Sequence, residues 1–178
     1  INLKADSVIQ AKKNYSISND EINIVLGTGG SGDTKRVPSK IFIEVMKNTL
    51  KKGKCKFFIA TGNAKEEIEI LDQITKSDLK EFCIPLNNLN ISKIIPIIKN
   101  CNVAICNDSS FSHLSAALNI PTIVLMTDTP LVYGSYSSLM HPILPEGANT
   151  VSHDTLGKDK INPSEIQKKL EEILLRVF

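Results

Sequence analysis

From Ile22 onward, apolar residues fall alternately into short continuous runs and helical spacings. The runs Ile22–Leu26, Cys55–Ala60, Phe82–Ile84, Val103–Cys106 and Thr122–Met126 read as buried strands, most of them bounded by Gly, Pro, Asn or Asp. Between them, Ser39–Leu50 places Ile41, Phe42, Val45, Met46 and Leu50 on one helical face. Pro38 suits the first turn of that helix and Gly53 its stop. Ala64–Ile74 turns Ile68, Leu71 and Ile74 inward, and Ile91–Lys99 is helical with Pro96 as a kink. Phe111–Leu118 is a further short helix. Strict alternation predicts an α/β fold: a Rossmann-like parallel sheet of at least five strands, with helices on both faces.

The flanks are less regular. Residues 1–20 are polar and weakly patterned, and read as a linker or the end of a preceding domain, with residues 21–178 forming the Rossmann-like unit. Residues 127–160, with Pro130, Gly134, Pro142, Pro145 and Gly147, read as looser structure. Pro163 and Ser164 open an amphipathic helix to Phe178, with Ile166, Leu170, Ile173, Leu174 and Val177 on its apolar side. That stripe is expected to dock on its own sheet or to meet a second copy.

Composition narrows the function. The chain has 178 residues, 42% hydrophobic and 22% charged, which suits one soluble globular domain. A net charge of +2 and the absence of Trp argue against nucleic acid as a partner. Cys55, Cys83, Cys101 and Cys106 form no CxxC pair and read as buried, reduced thiols. No apolar run approaches the ~20 residues of a membrane span, and no signal peptide is visible. The expected compartment is cytoplasmic, which is compatible with peripheral association with the inner membrane. No carboxylate cluster suggests a metal, and no cofactor is expected.

Ligands of open parallel sheets bind beyond the carboxyl ends of the strands. Two predicted loops at that edge carry chemistry. Gly27-Thr28-Gly29-Gly30-Ser31-Gly32-Asp33-Thr34-Lys35-Arg36 has four glycines, which let backbone N–H groups approach a phosphate, and two cations. Its spacing is not that of a Walker A loop. Cys106-Asn107-Asp108-Ser109-Ser110-Phe111-Ser112-His113 brings an acid, hydroxyls and an imidazole to one strand end, although Asp108 or Ser109 would also serve as a plain helix cap.

In this order, the two segments resemble the heptosyltransferase family of twin-Rossmann, GT-B type glycosyltransferases (glycosyltransferase family 9), in its C-terminal domain. The resemblance covers roughly residues 22–140. It rests on Lys35-Arg36-Val37-Pro38 after the first strand, Thr61-Gly62-Asn63 after the second, and Asp108-Ser109-Ser110-Phe111-Ser112-His113-Leu114-Ser115-Ala116-Ala117-Leu118 before Pro121-Thr122-Ile123-Val124-Leu125. It implies that the domain binds an ADP-heptose-like nucleotide sugar for inverting transfer in lipopolysaccharide or other envelope-glycan synthesis. Thr28, Gly29, Gly30, Ser31, Arg36 and Gly62 are candidate donor contacts, and Lys35 would contact phosphate. Asp108, Ser109 and Ser110 would line the sugar and diphosphate end with His113 nearby, and Leu89 would lie near the base. The resemblance assigns the acceptor and the catalytic carboxylate to an N-terminal domain that this sequence lacks. The chain alone is therefore expected not to transfer sugar.

Three positions depart from the family pattern. Val37 stands where an aromatic is usual. Ser110 replaces a glycine and puts a Cβ and a hydroxyl where backbone usually meets ligand. Ala64 lies near where some members carry an acid that reaches the ribose. Two other readings stay open: a sugar-nucleotide epimerase or hydrolase of the same architecture, and a stand-alone, non-catalytic nucleotide-binding or interaction module.

Overall fold

The computed structural model describes residues 1–177, the last two by backbone alone. It contains strands β1 (Ile22–Gly27), β2 (Cys55–Ala60), β3 (Cys83–Pro85), β4 (Val103–Asn107), β5 (Thr122–Leu125) and β6 (Met140–Ile143). They form one sheet in the order β3-β2-β1-β4-β5-β6, with every neighbouring pair parallel. The helices are α1 (Ala5–Asn14), α2 (Ser39–Leu50), α3 (Lys65–Thr75), α4 (Ile91–Lys99), α5 (Ser110–Ala117) and α6 (Pro163–Val177).

Successive strand residues point to opposite faces of the sheet, and here both faces are covered. Ile24, Leu26, Phe57, Ile59, Val103 and Ile105 pack on one side against α2, α3 and α6. Val25, Phe58 and Ala104 pack on the other against Ile94, Ile97 and Ile98 of α4 and Ala11 of α1. Burial on both faces explains why these strands read as continuous apolar runs. Each fully buried Leu, Ile or Phe contributes roughly 1.5–3 kcal/mol. The apolar stripe of α6 docks on this chain's own sheet through Ile166, Leu170 and Ile173. Phe178 and the side chain of Val177, expected at the end of that helix, lie outside the described residues.

The structure adds two elements that the pattern did not suggest. In residues 1–20, α1 buries only Ala11 among its ten residues, so its periodicity is faint. Leu3 and Tyr15, on either side of it, pack against the same cluster as Ala11. In the stretch read as loose, β6 extends the sheet beyond β5, with Val124 opposite Pro142. Proline lacks the N–H a central strand needs and is tolerated at an edge. The opposite edge strand, β3, also carries a proline, Pro85. Elsewhere the boundaries shift by a residue or so: β3 begins at Cys83 instead of Phe82 and α5 at Ser110 instead of Phe111.

The strand order reverses direction between β1 and β4. Open parallel sheets bind ligands at such a reversal, beyond the carboxyl ends.

Candidate functional site

β1 and β4 are neighbours, with Gly27 opposite Cys106. A Cβ on Gly27 would lie 2.5 Å from the Cys106 sulfur, so only glycine lets the strands end this closely. The loops that follow therefore leave the sheet side by side. They are joined by Asn107, which is fully buried. Its Nδ2 donates to the carbonyls of Thr28 (2.9 Å) and Gly29 (3.3 Å), and its Oδ1 accepts from the Val37 N–H (3.4 Å). One amide thus ties both ends of the glycine loop to β4.

Glu67, in the first turn of α3, fastens the middle of the loop. Its Oε1 accepts from the Gly30 N–H (3.1 Å) and its Oε2 from the Ala64 N–H (3.2 Å). A Cβ on Gly29 would meet this carboxylate at 2.5 Å and one on Gly62 at 2.3 Å. Both glycines leave it room. Arg36 donates from Nη1 to the Gly30 carbonyl (2.9 Å) and sits 3.8 Å from Asp33. Its guanidinium is engaged within the loop.

Between these loops lies a cleft of about 690 Å³, lined by Gly29, Gly30, Thr61, Gly62, Glu67 and Ser109 among others. The side-chain oxygens of Thr28, Thr61 and Ser109 are buried without a hydrogen-bond partner. Those of Thr61 and Ser109 belong to residues of the cleft wall, and a buried hydroxyl left unpaired costs free energy until something pairs with it. α5 opens at Ser110 on the same wall, and a helix start favours anions.

A smaller recess of about 310 Å³ shares Ser31, Ser109 and Ser110 with the cleft and adds Lys35, Asp108, His113, Thr129, Tyr133 and His153. Asp108 is buried. The Thr129 hydroxyl donates to its Oδ2, with Lys35 Nζ at 3.8 Å from the same oxygen and His113 Nε2 at 3.8 Å from Oδ1. At that separation Lys35 acts on the carboxylate through charge, not hydrogen bonding. On its other side, His113 Nδ1 lies 3.0 Å from the Tyr136 hydroxyl, and the rings stack with centroids 5.7 Å apart.

The loop carrying His153 is drawn to this edge. The Leu156 N–H donates to Asp128 (2.9 Å), and that bond holds the Asp128 carboxyl below the usual range. Asp154 and Leu156 take the left-handed backbone, with φ of 72° and 51°, a conformation costing roughly 1–2 kcal/mol for an L-residue. Lys158 pairs with Asp33, which lowers the Asp33 pKa and links this loop to the glycine loop.

The structure brings Gly29, Gly30, Ser31, Lys35, Arg36, Gly62, Asp108, Ser109, Ser110 and His113 to one edge. Thr28 is fully buried behind them. Leu89 stands apart, in a groove of about 310 Å³ between α1 and α4 with Ala11 and Tyr15. Asn107, Glu67, Thr129, Tyr133, Tyr136 and His153 were not singled out from the sequence. Asn107 stands in the second loop segment, and nothing in its spacing marks the two loops it ties together. The spacing of Ala64 and Glu67 showed half a capping box. Burial pushes the Cys106 thiol up to about 12 and those of Cys55 and Cys83 to about 11, with Cys101 raised further. None is activated as a nucleophile. Among the described residues, no three His, Cys, Asp or Glu side chains cluster as metal ligands, and no helix is long and apolar enough to cross a membrane.

The chain is similar to known proteins over most of its length. The profile of the family described as Glycosyltransferase family 9 (heptosyltransferase) matches residues 2–151. Lipooligosaccharide heptosyltransferase 2 of Haemophilus influenzae is 33% identical over 93 residues, 51% of this chain and 25% of that protein. Lipopolysaccharide heptosyltransferase 1 of Campylobacter coli is 26% identical over 165 residues, 89% of this chain and 46% of that protein. The solved ADP-heptose LPS heptosyltransferase II of Escherichia coli superposes with a TM-score of 0.76 at 20% identity, covering 99% of this chain and 53% of that one. The chain thus spans about half the length of such relatives, or less.

Proposed function

The chain belongs to glycosyltransferase family 9, the heptosyltransferase family, and from that membership we propose that it is the donor-binding Rossmann unit of an inverting glycosyltransferase. In this reading the donor is an ADP-heptose-like nucleotide sugar and the product an envelope glycan, made at the cytoplasmic face of the inner membrane. Residues 21–178 are the binding unit, and residues 1–20, with α1 against α4, lead into it.

The observation that carries the reading is the pairing of two recesses at the strand reversal. The larger offers backbone and buried hydroxyls at Thr61 and Ser109. The smaller offers Lys35, Asp108 and His113. A diphosphate placed where they meet, at Ser31, Ser109 and Ser110, would have the α5 start on one side and Lys35 on the other. Its nucleoside would occupy the larger recess and its sugar the smaller. As the sugar–phosphate bond breaks, charge grows on the leaving diphosphate, and groups fixed in advance stabilise that charge best. Lys35 and the loop N–H groups fill that role here.

The acceptor hydroxyl must also lose a proton. Glu67 is engaged by the Gly30 and Ala64 N–H groups, and Asp108 by Thr129 beside Lys35 and His113. Following the family resemblance, we assign the base and the acceptor site to a further domain of the enzyme. This chain alone is expected to bind donor without transferring sugar.

The test is calorimetry with ADP, ADP-heptose, UDP and UDP-N-acetylglucosamine. Selective binding of the adenine pair supports the reading. Preference for the uridine pair would favour an epimerase-like function on the same fold. Binding of none would end the donor proposal. Acceptor-dependent ADP release by this chain alone would show that the base had been misplaced.

A further inference from the structure

The loop after β5 carries two of the chain's three tyrosines. Both are more than half exposed, Tyr133 at 51% and Tyr136 at 59%, with Val132 beside them at 62%. The loop that presents them is firmly seated. Gly134, between the two rings, is buried. A Cβ there would stand 2.3 Å from the Met126 sulfur and 3.3 Å from Val124. The Tyr133 N–H donates to the Pro130 carbonyl (3.0 Å) and the Ser135 hydroxyl to the Leu131 carbonyl (2.9 Å), closing the turn. The backbone of the turn is thus held in place, with both rings left largely exposed.

Their neighbours suggest what they hold. Tyr133 lines the smaller recess with Asp108, Ser110 and His113. Tyr136 stacks on His113 and bonds its Nδ1. A sugar ring has two kinds of surface, C–H faces that suit an aromatic wall and hydroxyls that suit a carboxylate, an imidazole and a serine. Tyr supplies apolar area with only two rotatable side-chain bonds to immobilise. A nucleoside diphosphate without a sugar needs none of this.

We propose that Tyr133 and Tyr136 form the wall that reads the sugar of a bound nucleotide sugar, Tyr133 by stacking on its C–H face and Tyr136 by holding His113 toward its hydroxyls. This rests on the donor-binding reading above and deepens it. Tyr136 is a positioning residue, since it acts through His113.

The chain lacks Trp, so tyrosine fluorescence reports on this wall directly, and Tyr15→Phe removes the one other tyrosine. In that background, ADP-heptose is expected to change the emission and ADP is not. In calorimetry, Tyr133→Ala and Tyr136→Ala should each weaken ADP-heptose by roughly three- to tenfold. ADP affinity should move by less than about twofold. Tyr133→Phe keeps the ring and should restore the preference for the sugar-bearing ligand, and circular dichroism checks that each variant is folded. Equal loss for ADP and ADP-heptose, or an undiminished preference in both alanine variants, would overturn the proposal. Wild-type protein that binds ADP and ADP-heptose equally would remove the sugar wall and leave nucleotide binding standing. Wild-type protein that binds neither would remove both.

Discussion

The sheet has cationic cavities at both ends, and they differ in kind. At the amino end, Lys47, Lys51, Lys52 and Lys54 rim a groove of about 760 Å³ over Leu50, Leu79 and Phe82. It is larger and more basic than either recess at the carboxyl end. All four lysines are exposed; Lys47 pairs with Asp78 at 3.0 Å and Lys52 with Glu171. Exposed pairs of this sort are worth little and are screened by salt. At the carboxyl end, the decisive groups are buried: Asn107, Asp108, and the hydroxyls of Thr61 and Ser109. Polar side chains such as Asn23 and Thr122 are buried at the amino end as well, but the groove there is walled by none of them. Thr61, Ser109 and Asp108, in contrast, line the carboxyl-end recesses. Burying polar groups is costly, so placing them in a cavity wall marks that cavity. Lysines are more numerous at the amino end. Buried polar groups in the cavity walls mark the carboxyl end.

That contrast can be broken in order of expected effect. Replacing Asn107 with Leu removes three hydrogen bonds and leaves a buried N–H and two carbonyls unpaired. Stability should fall by about 2–4 kcal/mol, read as a lower midpoint in urea, and nucleotide binding should be lost with the loop's geometry. An unchanged midpoint would mean the amide is not the tie we describe. Next, Lys35→Ala should weaken ADP-heptose by roughly ten- to a hundredfold, since a charge-assisted contact is worth ~1.5–3 kcal/mol. The loss should shrink as salt rises. Lys51→Ala, at the other end, should change binding and stability by no more than ~0.5 kcal/mol. If the two variants behaved alike in calorimetry, the distinction between the ends would be void.

The smallest effect is one of pH. The folded-state pKa of Asp128 is depressed, so its contribution is present above the unfolded value of about 3.9. It is lost as pH falls through the folded value. The protection of the Leu156 amide, its exchange relative to the intrinsic rate, should therefore fall in acid below about pH 4, while Asp128→Asn should already be less protected at neutral pH. Equal rates in the two proteins at neutral pH would refute the anchoring role.

Much of this was legible in the sequence. Runs such as Val103–Cys106 read as strands because both faces are buried, and the apolar face of Ser39–Leu50 marked that helix, although Pro38 is its N-cap instead of a first-turn residue and the helix stops short of Gly53. The pairing of the two loops at one edge followed from strand direction alone. What escaped had physical reasons. α1 rests on a single buried alanine. β6 contains Pro142, which argues against a strand unless the edge position is known. Glu67 and Asn107 act across 37 and 79 positions of chain, on Gly30 and on Thr28, and no local pattern reports a contact of that length. Leu89 lies in the loop after β3, yet α1, which the pattern did not reveal, forms the other wall of its groove.

The prolines of the two outer strands bear on how the molecule behaves in company. Pro85 stands in β3 and Pro142 in β6, the two margins of the sheet. A margin that cannot donate at one position cannot be copied strand by strand onto another chain. Both margins are also short, three and four residues, so a foreign strand would find little ladder to climb. Crowded copies of this chain, fresh from synthesis or concentrated in a tube, are thereby steered away from fibrous stacking.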